Sequence, residues 1–176
     1  MNFSPTDVEG VWIVESEIHS DERGSFYRTW CSDALRNKGL AFKLDQCSIS
    51  SNPRRGTVRG MHYQASPHGE TKHVRCIRGA IYDVTIDLRP DSPTFGKWTG
   101  VVLSAENRRS LYIPEGCAHG FQTLEADSDV LYMMDGIFHP QSSRGVRWND
   151  PHFKIAWPLI DIAFLSPKDA ALPDFT

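Results

Sequence analysis

Between residues 80 and 88 the run AIYDVTIDL alternates, with Tyr82, Val84, Ile86 and Leu88 on one side and Asp83, Thr85 and Asp87 on the other. A period of two is that of a strand; the 3.6-residue period of a helix would mix the two sets. Short β-rich runs of this kind recur as GVWIVES, KLDQCSISS, TVRGMHYQ, KHVRCI, WTGVVLS, SLYIP, GFQTL and DVLYMM. Turn clusters such as SNPRRG, RPDSPTFG, SAENRRS and PEG separate them. Many strands at close, even spacing point to an all-β sandwich or barrel. Helix signals are sparse: SDALRNKG, with Ser32 as cap and Gly39 as stop, and one turn in SPKDAAL. The chain has no repeat, low-complexity tract or linker, so a single domain over residues 1–176 is expected.

A chain of 176 residues buries most of its apolar surface without disulfide help. Its net charge of -3 gives no general attraction to nucleic acid, so no nucleic-acid partner is expected and any anion must be bound by local cations. Cys31, Cys47, Cys76 and Cys117 lie far apart without a C-x-x-C pair, and read as reduced, buried thiols. The first ten residues lack the basic and apolar segments of a secretory signal, and the apolar run IAWPLIDIAFL is broken by Pro158 and Asp161. A cytoplasmic protein without a membrane span is the expectation.

Three segments place polar residues where a barrel would turn them inward. In RGMHYQ the period-two rule puts His62 and Gln64 with Gly60, and Met61 and Tyr63 opposite. Lys72 shares a face with Val74 and Cys76, and His119 follows a turn built by Pro114 and Gly116. Singly, these are an ordinary hydrogen-bonded histidine or a solvated lysine; together they would line a wet cavity. The pattern P-x-G-x-x-H at 114–119, with G-x-H-x-Q and Glu70, approximates the two signature stretches of the cupin barrel, whose metal-binding members use histidines and a glutamate. Where such members carry a second histidine this chain has Gln64, a poor transition-metal ligand, leaving at most His62, Glu70 and His119.

From DERGSF through RGMHYQ, KHVRCIRGAIYDVTIDLRPDSPTFGKW, LSAENRRSLYIPEGCAHGF and WNDP to LSPKDAALP, nearly the whole chain resembles the nucleotide-sugar 3,5-epimerases typified by dTDP-4-dehydrorhamnose 3,5-epimerase. The resemblance implies a cupin double-stranded β-helix, a jelly-roll barrel without metal or cofactor. It also implies a homodimer acting on a nucleoside-diphosphate 4-keto-6-deoxyhexose. Inversion next to a ketone needs a base, a stabiliser for the enolate and an acid on the opposite face. The family's base falls on His62, its paired carboxylate on Asp169, the cation beside the C4 oxygen on Lys72 and the acid on Tyr132. His119 and Asp83 match an inner polar pair near the base. Arg59 and Arg23 match phosphate contacts, and Arg23 and Phe26 are expected from the neighbouring subunit's swapped N-terminal strand.

The ligand side departs from the family pattern. Gln46 fits, but Ser48 replaces an asparagine, Phe138 a tyrosine that flanks the base, Arg28 a glutamate, and Met133 a lysine after the acid tyrosine. A complete catalytic set with an altered nucleotide set keeps the reaction class and leaves the nucleotide open. Three other readings compete: a 3,4-ketoisomerase of the same sugars, a metal-dependent cupin oxygenase, and a catalytically idle sugar-nucleotide binder.

Overall fold

The computed structural model describes residues 1–176. Its strands in chain order are β1 (Asn2–Pro5), β2 (Trp12–Glu15), β3 (Ile18–Asp21), β4 (Gly24–Tyr27), β5 (Gln46–Asn52), β6 (Thr57–Gln64) and β7 (Thr71–Arg78). There follow β8 (Ala80–Asp87), β9 (Trp98–Ser104), β10 (Ser110–Ile113), β11 (Cys117–Thr123), β12 (Ser128–Asp135), β13 (Ser143–Gly145) and β14 (Phe164–Leu165). Helix α1 spans Ser32–Asn37 and α2 spans Pro167–Ala170. The strands form two large sheets, ordered β1-β2-β10-β7-β12-β5 and β13-β6-β11-β8-β9, plus the separate hairpin β3-β4. Pairing is antiparallel except where β14 lies parallel to β6. This is the jelly-roll architecture that the strand spacing and the family resemblance predict.

The alternation in β8 is real, but both its faces are buried. Val84 and Ile86 pack with Met61, Ala118, Val146 and Phe153 in an apolar cluster beneath the C-terminal segment. Ile81 belongs instead to the interior cluster with Val74, Leu111, Cys117 and Phe121. On the same inward side as Ile81, Asp83 and Thr85 are fully buried. The polar face thus points into the barrel, and the chain after Val146 shields the apolar face from water.

Local details differ from expectation in three places. Helix α1 is capped at Cys31, whose side chain makes no cap bond, rather than at Ser32; Gly39 follows the helix with φ +81°. Only Cys76 and Cys117 are buried; Cys47 is exposed and Cys31 half-buried. The short strands β1, β3, β4, β13 and β14 carry no clear sequence signal, because two to four residues are too few to display a period.

Candidate active site

A cavity of about 290 Å³ opens between the two sheets. Arg59 and His62 of β6 and His119 of β11 face it from one sheet, and Ser48 of β5, Lys72 of β7 and Tyr132 of β12 from the other, with Glu70 beside them. Period two would put Arg59 and His62, three residues apart, on opposite faces. Both line the cavity because the β6–β11 register shifts: His62 lies opposite His119, while Arg59 lies opposite Phe121. The shift requires glycine. A Cβ on Gly60 would come 2.6 Å from the Gly120 Cα, and φ at Gly60 is +124°.

His62 is held from behind. Its Nε2 lies 2.7 Å from Asp169 Oδ1, and the Gly60 N–H donates to Asp169 Oδ2 at 3.2 Å. The local sequence explains how Asp169 arrives there. Strand β14 pairs with the start of β6, Ser166 then caps α2 by accepting from the Asp169 N–H at 3.0 Å, and Pro167 occupies the first turn. Burial alone would raise the Asp169 carboxyl, but the hydrogen bond and charge of His62, with the Gly60 and Ser166 contacts, hold it below the usual carboxylate range. An ionised Asp169 accepts the Nε2 hydrogen, which leaves the lone pair of His62 on Nδ1.

Lys72 Nζ lies 2.6 Å from Glu70 Oε1, both side chains less than a tenth exposed. Tyr132 stands edge-on to His119, with ring centroids 5.7 Å apart, and its hydroxyl has no hydrogen-bond partner within the chain. Burial and, secondarily, the Asp83 carboxylate push the Tyr132 phenol far above its ordinary value. His119 Nε2 and Asp83 Oδ2 form a wholly buried pair at 2.8 Å, and burial keeps the Asp83 carboxyl above the usual range against the pull of His119.

The expected ligand-side residues divide into two groups. Arg59 reaches the cavity with its Nε bonded to Asn52 Oδ1 at 2.7 Å, and Ser48 lines the facing wall. Gln46 and Phe138 lie outside the lining: Gln46 Oε1 accepts from the Phe138 N–H at 2.9 Å, and the Phe138 ring is half exposed. Arg23 and Phe26, on the exposed β3-β4 hairpin, are not brought to the cavity by their own chain; Arg23 pairs with Asp21, and Phe26 is 72% exposed. Met133 is buried on the side of β12 opposite Tyr132, so its departure from lysine does not touch this cavity. Arg28 is exposed near Cys31. Sequence reasoning missed the links from Glu70 to Lys72 and from Gln64 to Glu70, both made by side chains from different strands or loops.

His62, Glu70 and His119 do not gather as metal ligands, and no three His, Cys, Asp or Glu side chains elsewhere do so. The Nε2 atoms of both histidines and the Glu70 carboxylate are engaged by Asp169, Asp83 and Lys72 respectively. A larger cleft of about 510 Å³ borders Tyr63, Arg89 and Glu115, and there Arg89 is tied up by Asp87. No helix is long and apolar enough to cross a membrane.

The chain matches known proteins over nearly all its length. A dTDP-4-dehydrorhamnose 3,5-epimerase of Escherichia coli K12 is 40% identical over 175 residues, 98% of this chain and 93% of that one. The crystal structure of the Bacillus anthracis dTDP-4-dehydrorhamnose 3,5-epimerase, with TDP and PPi bound, superposes with a TM-score of 0.95 at 38% identity, covering 99% of both chains. A 3'-monoepimerase of Streptomyces bikiniensis, in complex with dTDP-quinovose, follows at 0.90 and 34%, covering 97% of this chain and 86% of that one. The family model described as dTDP-4-dehydrorhamnose 3,5-epimerase matches residues 5–176, and the chain belongs to that family.

Proposed function

We propose that the protein is a nucleotide-sugar epimerase, an isomerase that inverts C3, C5 or both in a nucleoside-diphosphate 4-keto-6-deoxyhexose during deoxysugar biosynthesis. The observation that carries this reading is the opposition of His62 and Tyr132 from facing sheets across one cavity. His62 Nδ1 takes the proton from the carbon beside the ketone. The bond electrons move to the C4 oxygen, and the Lys72 ammonium stabilises the charge that grows there. Asp169 steadies the imidazolium, and Tyr132 returns a proton to the opposite face of the carbon. The buried Asp83–His119 pair supports the ring of Tyr132 from below. No redox partner or metal enters this proton balance.

Arg59 supplies a cation for the diphosphate, a need that an acidic chain must meet locally. Arg23 and Phe26 complete the site from a second copy in a homodimer with exchanged N-terminal segments. Support for this comes from the hairpin itself: two isolated strands are marginally stable alone, and this pair exposes Ile18 and Phe26. Gln46 acts by holding the Phe138 backbone, so that Phe138 and Ser48 border the bound nucleotide sugar. Asp169 lies near the far end of the chain yet backs the base, so residues 1–176 work as one domain. Free thiols fit a reducing compartment, and we place the enzyme in the cytoplasm. The relatives point to thymidine as the nucleoside.

Incubation with dTDP-4-keto-6-deoxyglucose in deuterated water, followed by proton NMR and mass spectrometry, tests the assignment. Deuterium at C3 or C5 with inverted product is expected, and the labelled position gives the regiochemistry. His62→Ala should abolish exchange and retain ligand binding. A wild-type protein that exchanges no proton on dTDP-, GDP- or CDP-linked 4-keto sugars would overturn the reading.

A further inference from the structure

Glu70 has no part in the proton transfers, yet it lies buried beside the cation that they depend on. Its Oε1 is 2.6 Å from Lys72 Nζ, and its Oε2 accepts from Gln64 Nε2 at 3.3 Å. Gln64 is itself fixed: its Nε2 also donates to the Ile137 carbonyl at 3.2 Å, and its Oε1 accepts from the His139 N–H at 2.6 Å. The chain of contacts therefore runs from the Lys72 ammonium through Glu70 and Gln64 to the backbone on either side of Phe138.

We propose that Glu70 is a positioning residue of the epimerase reaction: it holds the Lys72 ammonium aimed at the C4 oxygen, while Gln64 fixes Glu70 and couples it to the 137–139 loop. Lys72 points into the barrel next to Val74 and Cys76, with little water to stabilise a cation. The Glu70 carboxylate, 2.6 Å away, ties that flexible four-carbon arm to one position. An ammonium fixed in advance stabilises the developing enolate without reorganising during the reaction. One carboxylate oxygen on Lys72 and the other on Gln64 leave Glu70 a single orientation, which directs Nζ without adding a ligand to the substrate. The inference deepens the proposed function and rests on it.

The test compares wild type, Glu70→Gln, Glu70→Asp and Gln64→Leu on the dTDP-4-keto sugar that wild type exchanges, with circular dichroism and thermal melting of each. Glu70→Gln is expected to lose about tenfold or more in kcat, with KM changed far less. Glu70→Asp, which restores the carboxylate on a shorter arm, should recover part of the loss in kcat. Gln64→Leu should raise KM together with its loss in kcat, because the loop is released as well. Should Glu70→Gln fail to fold, Glu70→Asp and Gln64→Leu carry the test with the same readouts. Folded variants with wild-type kcat, or with kcat lowered only in proportion to the folded fraction, would reduce Glu70 to a structural residue. If wild type exchanges no 4-keto sugar, the epimerase reading fails and this inference falls with it.

Discussion

Replacing Asp169 by asparagine conserves its volume and removes one charge at a site only 4% exposed, where water cannot take over the lost contacts. The carboxylate meets two donors, the Gly60 N–H at 3.2 Å and His62 Nε2 at 2.7 Å. An amide satisfies only one of them with its oxygen. With that oxygen on Gly60, the NH2 group faces His62 Nε2, which must then accept, and the ring hydrogen moves to Nδ1, the atom assigned to take the substrate proton. The reverse rotamer would press the NH2 against the Gly60 N–H, two donors in a buried space. Wrong tautomer and missing counter-charge together should cost about 10³- to 10⁴-fold in kcat, roughly 4 to 5.5 kcal/mol of barrier. Affinity should change little, since Arg59, Lys72 and Tyr132 are untouched. The assay is steady-state epimerisation with deuterium incorporation at saturating substrate, alongside calorimetric binding of dTDP. A folded Asp169→Asn protein retaining more than about a tenth of wild-type kcat would refute the assignment of Nδ1 as the base and of Asp169 as its orienter.

Tyr132→Phe removes the acid from one sheet and leaves the base on the other, so net inversion should fall about 10²-fold while proton exchange from the His62 side persists; loss of both together would give Tyr132 some other role. Arg23→Ala and His62→Ala proteins should each be inactive, but unfolded and refolded as an equal mixture they should regain about a quarter of wild-type activity, because half the dimers carry one intact site. No recovery in a mixture shown to be dimeric would remove the exchanged hairpin from the site. At the buried Asp87, burial opposes ionisation, but hydrogen bonds from Arg89, Ser92 and Thr94 bring the carboxyl down to about 2. A depressed folded value stabilises the native state above the unfolded carboxylate range, so wild type should exceed Asp87→Asn by about 2 kcal/mol near neutral pH. Urea melts should show this margin shrinking as pH falls from about 4 towards 2; a constant margin would assign it to hydrogen bonding alone.

The all-β architecture was legible because β8 and its neighbours are long enough to display their period, and Asp83, Thr85 and His119 appear as polar residues at inward positions. The cavity walls were legible as residues but not as a geometry. Nothing local in TVRGMHYQ says that Arg59 and His62 face the same way; that follows from a register shift against β11, made possible by Gly60 in one strand and Gly120 in the other. Asp169 offers a similar case. Ser166 and Pro167 announce a helical turn, but a carboxylate 107 positions from His62 can be placed against it only by the β14–β6 pairing. Arg23 and Phe26 mark the opposite limit, since a single chain leaves them in solvent.

The facing-sheet construction bears directly on why the chemistry is an inversion. Sheets packed face to face lie about 10 Å apart, close to the span of a sugar ring with a side chain on either side. A base and an acid on neighbouring strands of one sheet would meet the same face of a ring lying between the sheets, and the proton would return to the face that it left. Here His62 comes from the sheet containing β6 and β11, and Tyr132 from the sheet containing β7 and β12. The two groups are therefore separated by the thickness of the substrate, and neither can do the other's work without crossing it. On the proposed reading Lys72, on the Tyr132 side next to β12, sets which way the carbonyl points. Once that oxygen is anchored, C3 and C5 flank it almost symmetrically, and the carbon that is inverted is the one the bound sugar turns towards Nδ1. On that reading regiochemistry would be decided by the residues proposed to hold the far ends of the ligand, Ser48, Phe138 and the hairpin carrying Arg23, rather than by the proton-transfer groups. Substitutions confined to Ser48 and Phe138 should change the ratio of C3 to C5 labelling in deuterated water while leaving the summed exchange rate within about tenfold of wild type. A change in ratio produced only by altering His62, Lys72 or Tyr132 would contradict this division of labour.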